Sequence, residues 1–147
     1  GALQPKVSFV QYSDFFPYCK YSIFGRDWLY LLDKWNNMII RENEIEISHL
    51  ENFKGGEKHL DARMYFDGTN RILTRARLVP GASIGLHTHD DSCEVIFILE
   101  GRGSLIEEGI QKAVQTGDCL YCPKGGTHSL INDSDADLIF CAVVPKQ

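Results

Sequence analysis

The chain has 147 residues, a hydrophobic content of 44% and a formal net charge of -5, which together indicate one globular domain with its own core. The excess of acidic residues disfavours nucleic acid or an anionic membrane as the main partner. No apolar stretch reaches the roughly 18 to 20 residues that a membrane-spanning helix needs.

The cysteines and the first residues of the chain are typical of a cytoplasmic protein. The five cysteines are odd in number and irregularly spaced, which indicates reduced thiols rather than a disulfide framework. The opening residues GALQPKVSFVQYSD lack the basic start and the long apolar stretch of a signal peptide. We therefore expect a cytoplasmic location.

Residues 1–37 form an N-terminal extension that is dense in aromatic side chains. Within it, the stretch 27–35 has apolar residues at i, i+3, i+4 and i+7, which predicts a short helix with one apolar face. These apolar residues are Trp28, Leu31, Leu32 and Trp35. Because so short a helix must dock on something, we interpret the extension as an element that packs on the core domain or on a partner subunit. A helix that binds another partner is the alternative.

From Met38 onward, the sequence alternates short strands with turns. Predicted strands cover 45–50, 72–79, 94–101, 118–123 and 137–144; RMYF precedes a tight turn at Asp67-Gly68, and 103–114 forms a hairpin that turns near Glu108-Gly109. Short strands at about ten-residue spacing, separated by Gly, Pro and Asp turns, indicate an all-β sandwich or barrel.

The strand at 94–99, EVIFIL, constrains the packing because both of its faces are apolar. Ile96 and Ile98 share one face, while Val95, Phe97 and Leu99 share the other. A strand that is apolar on both sides is expected to be covered on both sides. A second subunit or the aromatic extension could cover its outer face.

The segment HTHDDSCE, residues 87–94, concentrates possible metal ligands. His87 and His89 are two residues apart, so on a strand both imidazoles point to the same side. The turn after them can return Glu94 to their vicinity, and His128 follows a distant turn that contains Pro and Gly. Three neutral imidazoles and one carboxylate suit iron(II), manganese, zinc, nickel or copper. The competing interpretation is a polar turn without a metal.

These residues resemble the two motifs of the cupin superfamily, in particular of small single-domain proteins of the conserved-barrel type. The first motif, G-x5-H-x-H-x3-4-E-x6-G, is matched by Gly81, His87, His89, Glu94 and Gly101. The second, G-x5-P-x-G-x2-H-x3-N, is matched by Gly117, Pro123, Gly125, His128 and Asn132. Both motifs are complete, and the close resemblance covers about residues 70–144.

The resemblance implies a double-stranded β-helix, a jelly-roll barrel, over residues 38–147. It also implies that His87, His89, Glu94 and His128 hold one divalent transition metal inside the barrel, with iron, manganese, zinc and nickel all open. Gly81 and Gly117 would then open strands, and Gly125 would allow a close approach before His128.

Two functional hypotheses follow from the implied metal site. The first is a small metal-dependent enzyme (an oxygenase, isomerase or lyase) that acts on a small oxygen-rich or anionic molecule at the open metal positions. The alternative is a non-catalytic module that binds or senses a sugar or an acid. A general acid or base would separate the two, and Glu107, Glu108, Tyr121 and Cys122 are all candidates without a decisive signal.

The remaining polar residues favour structural interpretations. Cys119 and Cys122 form a CxxC pattern, but an offset of three on one strand places them on opposite faces. Arg75 and Arg77 share a face that we expect to be solvated; on an inner face they would bind an anion. The expected roles of the others are: Cys93, a neutral neighbour of Glu94; Asp90 and Asp91, turn formers, with an outer partner of the metal ligands as the alternative; His49 and His59, surface or structural residues.

The partners expected from the sequence are a small-molecule ligand and a second copy of the chain. Cupins often dimerise through a sheet face, and strands that are apolar on both sides fit that arrangement. We therefore predict a homodimer.

Overall fold

The computed structural model describes residues 39–147, and these form antiparallel strands with two short 3₁₀ turns at Glu42–Glu44 and Phe53–Gly55. The strands are β1 Ile47–Glu51, β2 His59–Phe66, β3 Arg71–Leu78, β4 His87–Thr88, β5 Glu94–Glu100, β6 Arg102–Glu107, β7 Ile110–Gln115, β8 Cys119–Cys122, β9 Thr127–Ile131 and β10 Leu138–Val144. The extension 1–37 and its expected helix at 27–35 lie outside the described residues. Within 39–147, no helix is long and apolar enough to cross a membrane.

The strands belong to two sheets that form a double-stranded β-helix, as the sequence predicts. The six-stranded sheet has the order β1-β2-β3-β10-β5-β8, and the four-stranded sheet has the order β4-β9-β6-β7. Within residues 39–147, the chain passes from one sheet to the other six times, after β3, β4, β5, β7, β8 and β9. Because the strand ladders of the two sheets do not join within the described part of the chain, the barrel that the sequence predicts is not closed.

Both sheets contribute to one hydrophobic core. Its largest fully buried apolar side chains are Phe140, Leu60, Leu78, Ile96, Leu130 and Leu138. Along β5, Ile96 and Ile98 face this core, while Phe97 and Leu99 on the other face are 45% and 39% exposed. Residues 39–147 therefore cover only one face of β5, and covering of the other face by the extension or by a second subunit stays a prediction.

The predicted tight turns are confirmed. Glu108 and Gly109 connect β6 to β7 with φ values of 47° and 79°, and Glu107 pairs with Ile110 across them. Two consecutive residues with positive φ are the signature of a type I′ hairpin turn, whose twist matches that of the flanking strands. At the turn between β2 and β3, the Asp67 carboxylate accepts hydrogen bonds from the backbone N–H groups that follow it.

Asn132, the last residue of the second sequence motif, has a structural role at the crossover from β9 to β10. Its side chain is fully buried. Its amide donates to the carbonyl oxygens of Leu78 and Ala136, each at 2.8 Å, and its carbonyl oxygen accepts from the N–H of Ser134 at 3.0 Å. One side chain thus joins the end of β3 to the crossover.

We expect Asn132→Ala to lower the free energy of unfolding by about 2–3 kcal/mol, because it leaves the Leu78 and Ala136 carbonyls without their buried donor. Urea denaturation monitored by far-ultraviolet circular dichroism measures the loss. Asp135→Ala, an exposed change in the same crossover, should shift the free energy by less than about 0.5 kcal/mol. Equal midpoints for the two variants would contradict the assigned role of Asn132.

Candidate metal centre

Four side chains that are distant in sequence converge in the structure: His87, His89, Glu94 and His128. The Glu94 Oε2 atom lies 2.9 Å from His128 Nε2, 3.1 Å from His89 Nε2 and 4.0 Å from His87 Nε2. The Nε2 atoms of His89 and His128 are 3.0 Å apart. Only His87 is more than marginally accessible to solvent. The four residues selected from the sequence therefore do meet in space.

The two sheets each supply part of this cluster. His87 on β4 and His128 on β9 are direct partners in the four-stranded sheet, whereas Glu94 begins β5 in the six-stranded sheet. His89, just after β4, is held by the backbone: its N–H donates to the Gly126 carbonyl at 3.0 Å, and its carbonyl accepts from the Gly125 N–H at 2.7 Å. The turn of the second motif is thus bonded directly to the first motif.

The resemblance implies that Gly125 allows a close approach of the chain before His128. In the structure, Gly125 and Gly126 have separate roles in this turn. Gly125 has a φ of +83°, but a Cβ at this position would meet open space, so glycine is needed for its left-handed backbone rather than for a close approach. The close approach is at Gly126, where a Cβ would lie 2.8 Å from Cys122 Sγ. Gly81 and Gly117 likewise have positive φ and lie in turns ahead of the strands.

Hydrogen bonds orient two of the imidazoles toward the common point. His87 Nδ1 lies 2.8 Å from the Gly85 carbonyl oxygen, to which it donates, and His89 Nδ1 lies 3.0 Å from Ser92 Oγ. With Nδ1 engaged in this way, each ring presents Nε2 to the cluster, which is the arrangement that outer partners impose on metal-binding histidines. Sequence reasoning missed Gly85 and Ser92, although their offsets of two and three residues from the histidines were a readable signal.

The protonation states of Glu94 and His87 suit the binding of a cation. Burial alone would raise the pKa of the Glu94 carboxyl, but hydrogen bonds from His128 and His89 outweigh it and lower that pKa to about 2. Burial lowers the pKa of His87. At neutral pH, Glu94 is therefore ionised and His87 neutral, the states in which both side chains donate electron pairs to a metal.

The spacing of the donor atoms fits one ion. Nitrogen and oxygen atoms that each lie about 2.0–2.2 Å from a shared ion are about 2.8–3.6 Å apart at tetrahedral or octahedral angles. The separations among His89, Glu94 and His128 fall in this range, at 2.9 to 3.1 Å. The donors suit manganese, iron, zinc and nickel.

A cavity of about 280 Å³ opens beside the cluster, with His87, His89 and Glu94 in its wall. Lys54, Arg71, Asp90 and Asp91 are its other charged lining residues, and its larger apolar lining residues are Phe53, Met64, Leu73, Ile84 and Val144. Lys54 and Arg71 lie far from both motifs in sequence, so sequence reasoning missed them.

The other candidate residues have structural positions. Cys119 and Cys122 lie on opposite faces of β8, as predicted, and burial raises the pKa of the Cys122 thiol to about 11, so it is a protonated core residue. Arg75 and Arg77 are exposed and pair with Glu100 and Asp61, which confirms the solvated face. The acid–base candidates Glu107, Glu108, Tyr121 and Cys122 do not line the cavity.

Comparisons with known proteins agree with this fold. Residues 74–144 match the family model described as "Cupin domain". The chain is 32% identical over 112 residues to the "Oxalate-binding protein" of Thermotoga maritima, across 73% of this chain and 93% of that protein. The crystal structure of a predicted oxalate decarboxylase from Thermotoga maritima aligns with a TM-score of 0.67 and 28% identity, over 75% of this chain and 100% of that one. A Klebsiella pneumoniae protein with a double-stranded beta-helix domain aligns with a TM-score of 0.57 and 18% identity, over 74% and 90% of the two chains.

Proposed function

Because this chain belongs to the cupin superfamily, we propose that His87, His89, Glu94 and His128 bind one divalent transition metal, and that this site holds a small dicarboxylate of the oxalate class. The observation that carries the proposal is the convergence of four donor atoms, three of them from residues in the wall of a cavity. A metal bound there would supply Lewis-acid polarisation of carboxylate oxygens. Manganese, iron, zinc and nickel all suit the donor set.

The charges around the cavity favour an anionic ligand. Lys54 and Arg71 are two cationic residues of the cavity wall and balance Asp90 and Asp91, so a divalent ion, whose charge Glu94 offsets only in part, leaves the site with a net positive charge. The negative charge of Asp91 is partly compensated by Lys146, whose Nζ lies 3.4 Å from the carboxylate. A small ligand with two carboxylates can bind the metal through one carboxylate and contact Lys54 or Arg71 through the other.

The size and lining of the cavity support a small ligand. A volume of about 280 Å³ is at the lower end of the roughly 300–1,000 Å³ of typical small-molecule sites. The apolar lining around Leu73 and Ile84 excludes water, which strengthens the attraction between a bound anion and the cations. The similarity to a protein named for oxalate binding points to the same class of ligand.

The second candidate function is enzymatic turnover of the same ligand. Of the three reaction types predicted from the sequence, this function corresponds to the lyase. Asp90 and Asp91 also line the cavity, and the structurally similar Thermotoga maritima protein is described as a predicted oxalate decarboxylase. In such a reaction the carbon–carbon bond of oxalate breaks, carbon dioxide leaves, and the remaining carbon takes a proton with the electron pair of the broken bond to become formate. Binding without turnover is the alternative.

The metal content of the purified chain tests the first half of the proposal. We expect His128→Ala to contain one equivalent of transition metal less than the unmodified chain, because it removes a buried donor from the cluster. Plasma mass spectrometry after dialysis measures the content. Thr127→Ser, on the same strand but outside the cluster, should retain the metal; equal contents in all three proteins would refute the site.

Calorimetric titration with oxalate tests the second half. The metal-loaded chain should bind oxalate and the chelator-treated chain should not, and Arg71→Gln should weaken binding about tenfold because it removes a charged hydrogen-bond donor. Arg75→Gln, on the same strand but on the outer face, is the matched control and should bind as the unmodified chain does. Oxalate affinity that survives metal removal would argue against the proposal. Formate detected by ¹³C NMR with labelled oxalate would select turnover over binding alone.

We also propose a homodimer formed through the outer face of β5 and β8. This face exposes Phe97, Leu99 and Tyr121, at 45%, 39% and 57%, and an apolar patch of this kind is typical of a protein contact.

The roles expected for residues 1–37, the cytoplasmic location and the absence of nucleic-acid and membrane partners stay predictions from the sequence.

Light scattering coupled to size-exclusion chromatography should give twice the mass of one chain. Leu99→Glu should shift the protein to the monomer at micromolar concentration, because it places a charge in the desolvated centre of the contact. Ile110→Glu, at an exposed apolar residue in the β6–β7 hairpin, should leave the mass unchanged. A single-chain mass for the unmodified protein across dilution would rule out the homodimer.

A further inference from the structure

A second group of histidines and carboxylates lies on the exposed face of the β1–β2 ribbon. His49 and Glu51 alternate along β1, and His59 and Asp61 alternate along β2. Leu60 on β2 is fully buried in the core, so its neighbours in the strand point to the opposite face. None of the four residues lines the cavity beside the first cluster.

The strand register brings these four side chains into a square. His49 pairs with Asp61, and Glu51 pairs with His59. The imidazole rings of His49 and His59 have centroids 4.1 Å apart, and His49 Nε2 lies 2.9 Å from Glu51 Oε1. One donor atom from each of His49, Glu51 and His59 lies within 4.8 Å of the others, close enough for one ion.

Asp61 orients the His49 imidazole and is not one of the three residues whose donor atoms come together. His49 Nδ1 donates to Asp61 Oδ1 at 2.6 Å, which leaves Nε2 directed toward Glu51. The other Asp61 oxygen accepts from Arg77 at 2.6 Å, so the charge of this carboxylate is already compensated. A carboxylate that holds the far nitrogen of an imidazole is the usual outer partner of a metal-binding histidine.

We propose that His49, Glu51 and His59 form a second, solvent-exposed site for a divalent transition metal, with Asp61 as the positioning residue for His49. Two imidazoles and one carboxylate favour zinc, nickel or copper over magnesium or calcium, which prefer oxygen donors. The remaining coordination positions face solvent. The site is independent of the buried cluster, because it shares no residue with it.

The same residues have a plainer use, which the experiment must separate from metal binding. β1 is an edge strand of its sheet, and charged side chains on an edge discourage pairing with other chains. Residues that only protect an edge need neither the alignment of His49 with Glu51 nor the Asp61 carboxylate at His49 Nδ1. Metal binding depends on both.

Calorimetric titration of the full-length, tag-free chain with zinc chloride at pH 7.5 tests the site. We expect the unmodified chain to bind one equivalent of zinc more than His49→Gln/His59→Gln does. Glu46→Gln removes a carboxylate next to the same ribbon but outside the square, so its stoichiometry should match that of the unmodified chain. Thermal melting establishes that all three proteins are folded.

Two further measurements assign the binding to this square. Imidazole ¹H–¹³C NMR signals of His49 and His59 should shift on addition of the extra equivalent. Asp61→Asn should keep that equivalent but bind it about tenfold more weakly, with an altered tautomer signal for His49.

Equal zinc stoichiometry in the unmodified chain and the folded double variant would overturn the second site. The buried cluster is judged separately, because His128→Ala removes its equivalent and leaves the square intact. Loss of the His128-dependent equivalent alone, with no His49-dependent one, would therefore support the first site and refute the second.

Discussion

The buried carboxylate of Glu94 is the constraint on which the rest of the site depends. An ionised carboxylate taken out of water is costly unless charges or hydrogen-bond donors compensate it. His128 and His89 supply that compensation at 2.9 and 3.1 Å, and their effect exceeds that of burial, since the carboxyl pKa falls to about 2. Glu94 and His128 belong to different sheets, so this compensation requires both sheets to be in place, which couples the site to the fold.

The sequence predicted those parts of the fold that local patterns encode. The turn at Glu108–Gly109 follows from the need for positive φ, and the strand at 94–100 follows from its composition. The convergence of His87, His89, Glu94 and His128 was predictable because the chain contains both motifs of the cupin superfamily in full. By contrast, β4 has only two residues and β9 is half polar, so neither has a readable strand pattern.

Features that depend on pairing between distant strands could not be predicted. Whether the barrel closes is decided by hydrogen bonds between sheets, and no local pattern encodes them. Lys54 and Arg71 reach the cavity only because β3 and the turn before β2 lie beside it. His49 and His59 had no motif and were interpreted as surface residues, since their proximity appears only when the register places His49 opposite Asp61 and Glu51 opposite His59.

The two clusters use similar donors in opposite environments, and this difference decides what each can do. Around Glu94, low polarity strengthens every charge interaction and selects a ligand that matches the cavity. Around His49, water screens the charges, so binding there depends on the coordination bonds themselves and on how well the ribbon aligns them.

A backbone contact connects the segment that carries Lys54 to the first cluster. A Cβ on Gly85 would lie 2.0 Å from the Lys54 carbonyl oxygen, so only glycine lets the two segments approach, and the Gly85 N–H donates to the Phe53 carbonyl at 3.0 Å. The carbonyl of the same Gly85 accepts from His87 Nδ1. The backbone that carries Lys54 and the backbone that orients His87 are therefore one hydrogen-bonded unit. An anion that bridges Lys54 and the metal position would span two segments whose backbone separation is already fixed, so on the Lys54 side only the side-chain rotamers remain to be ordered when the anion binds.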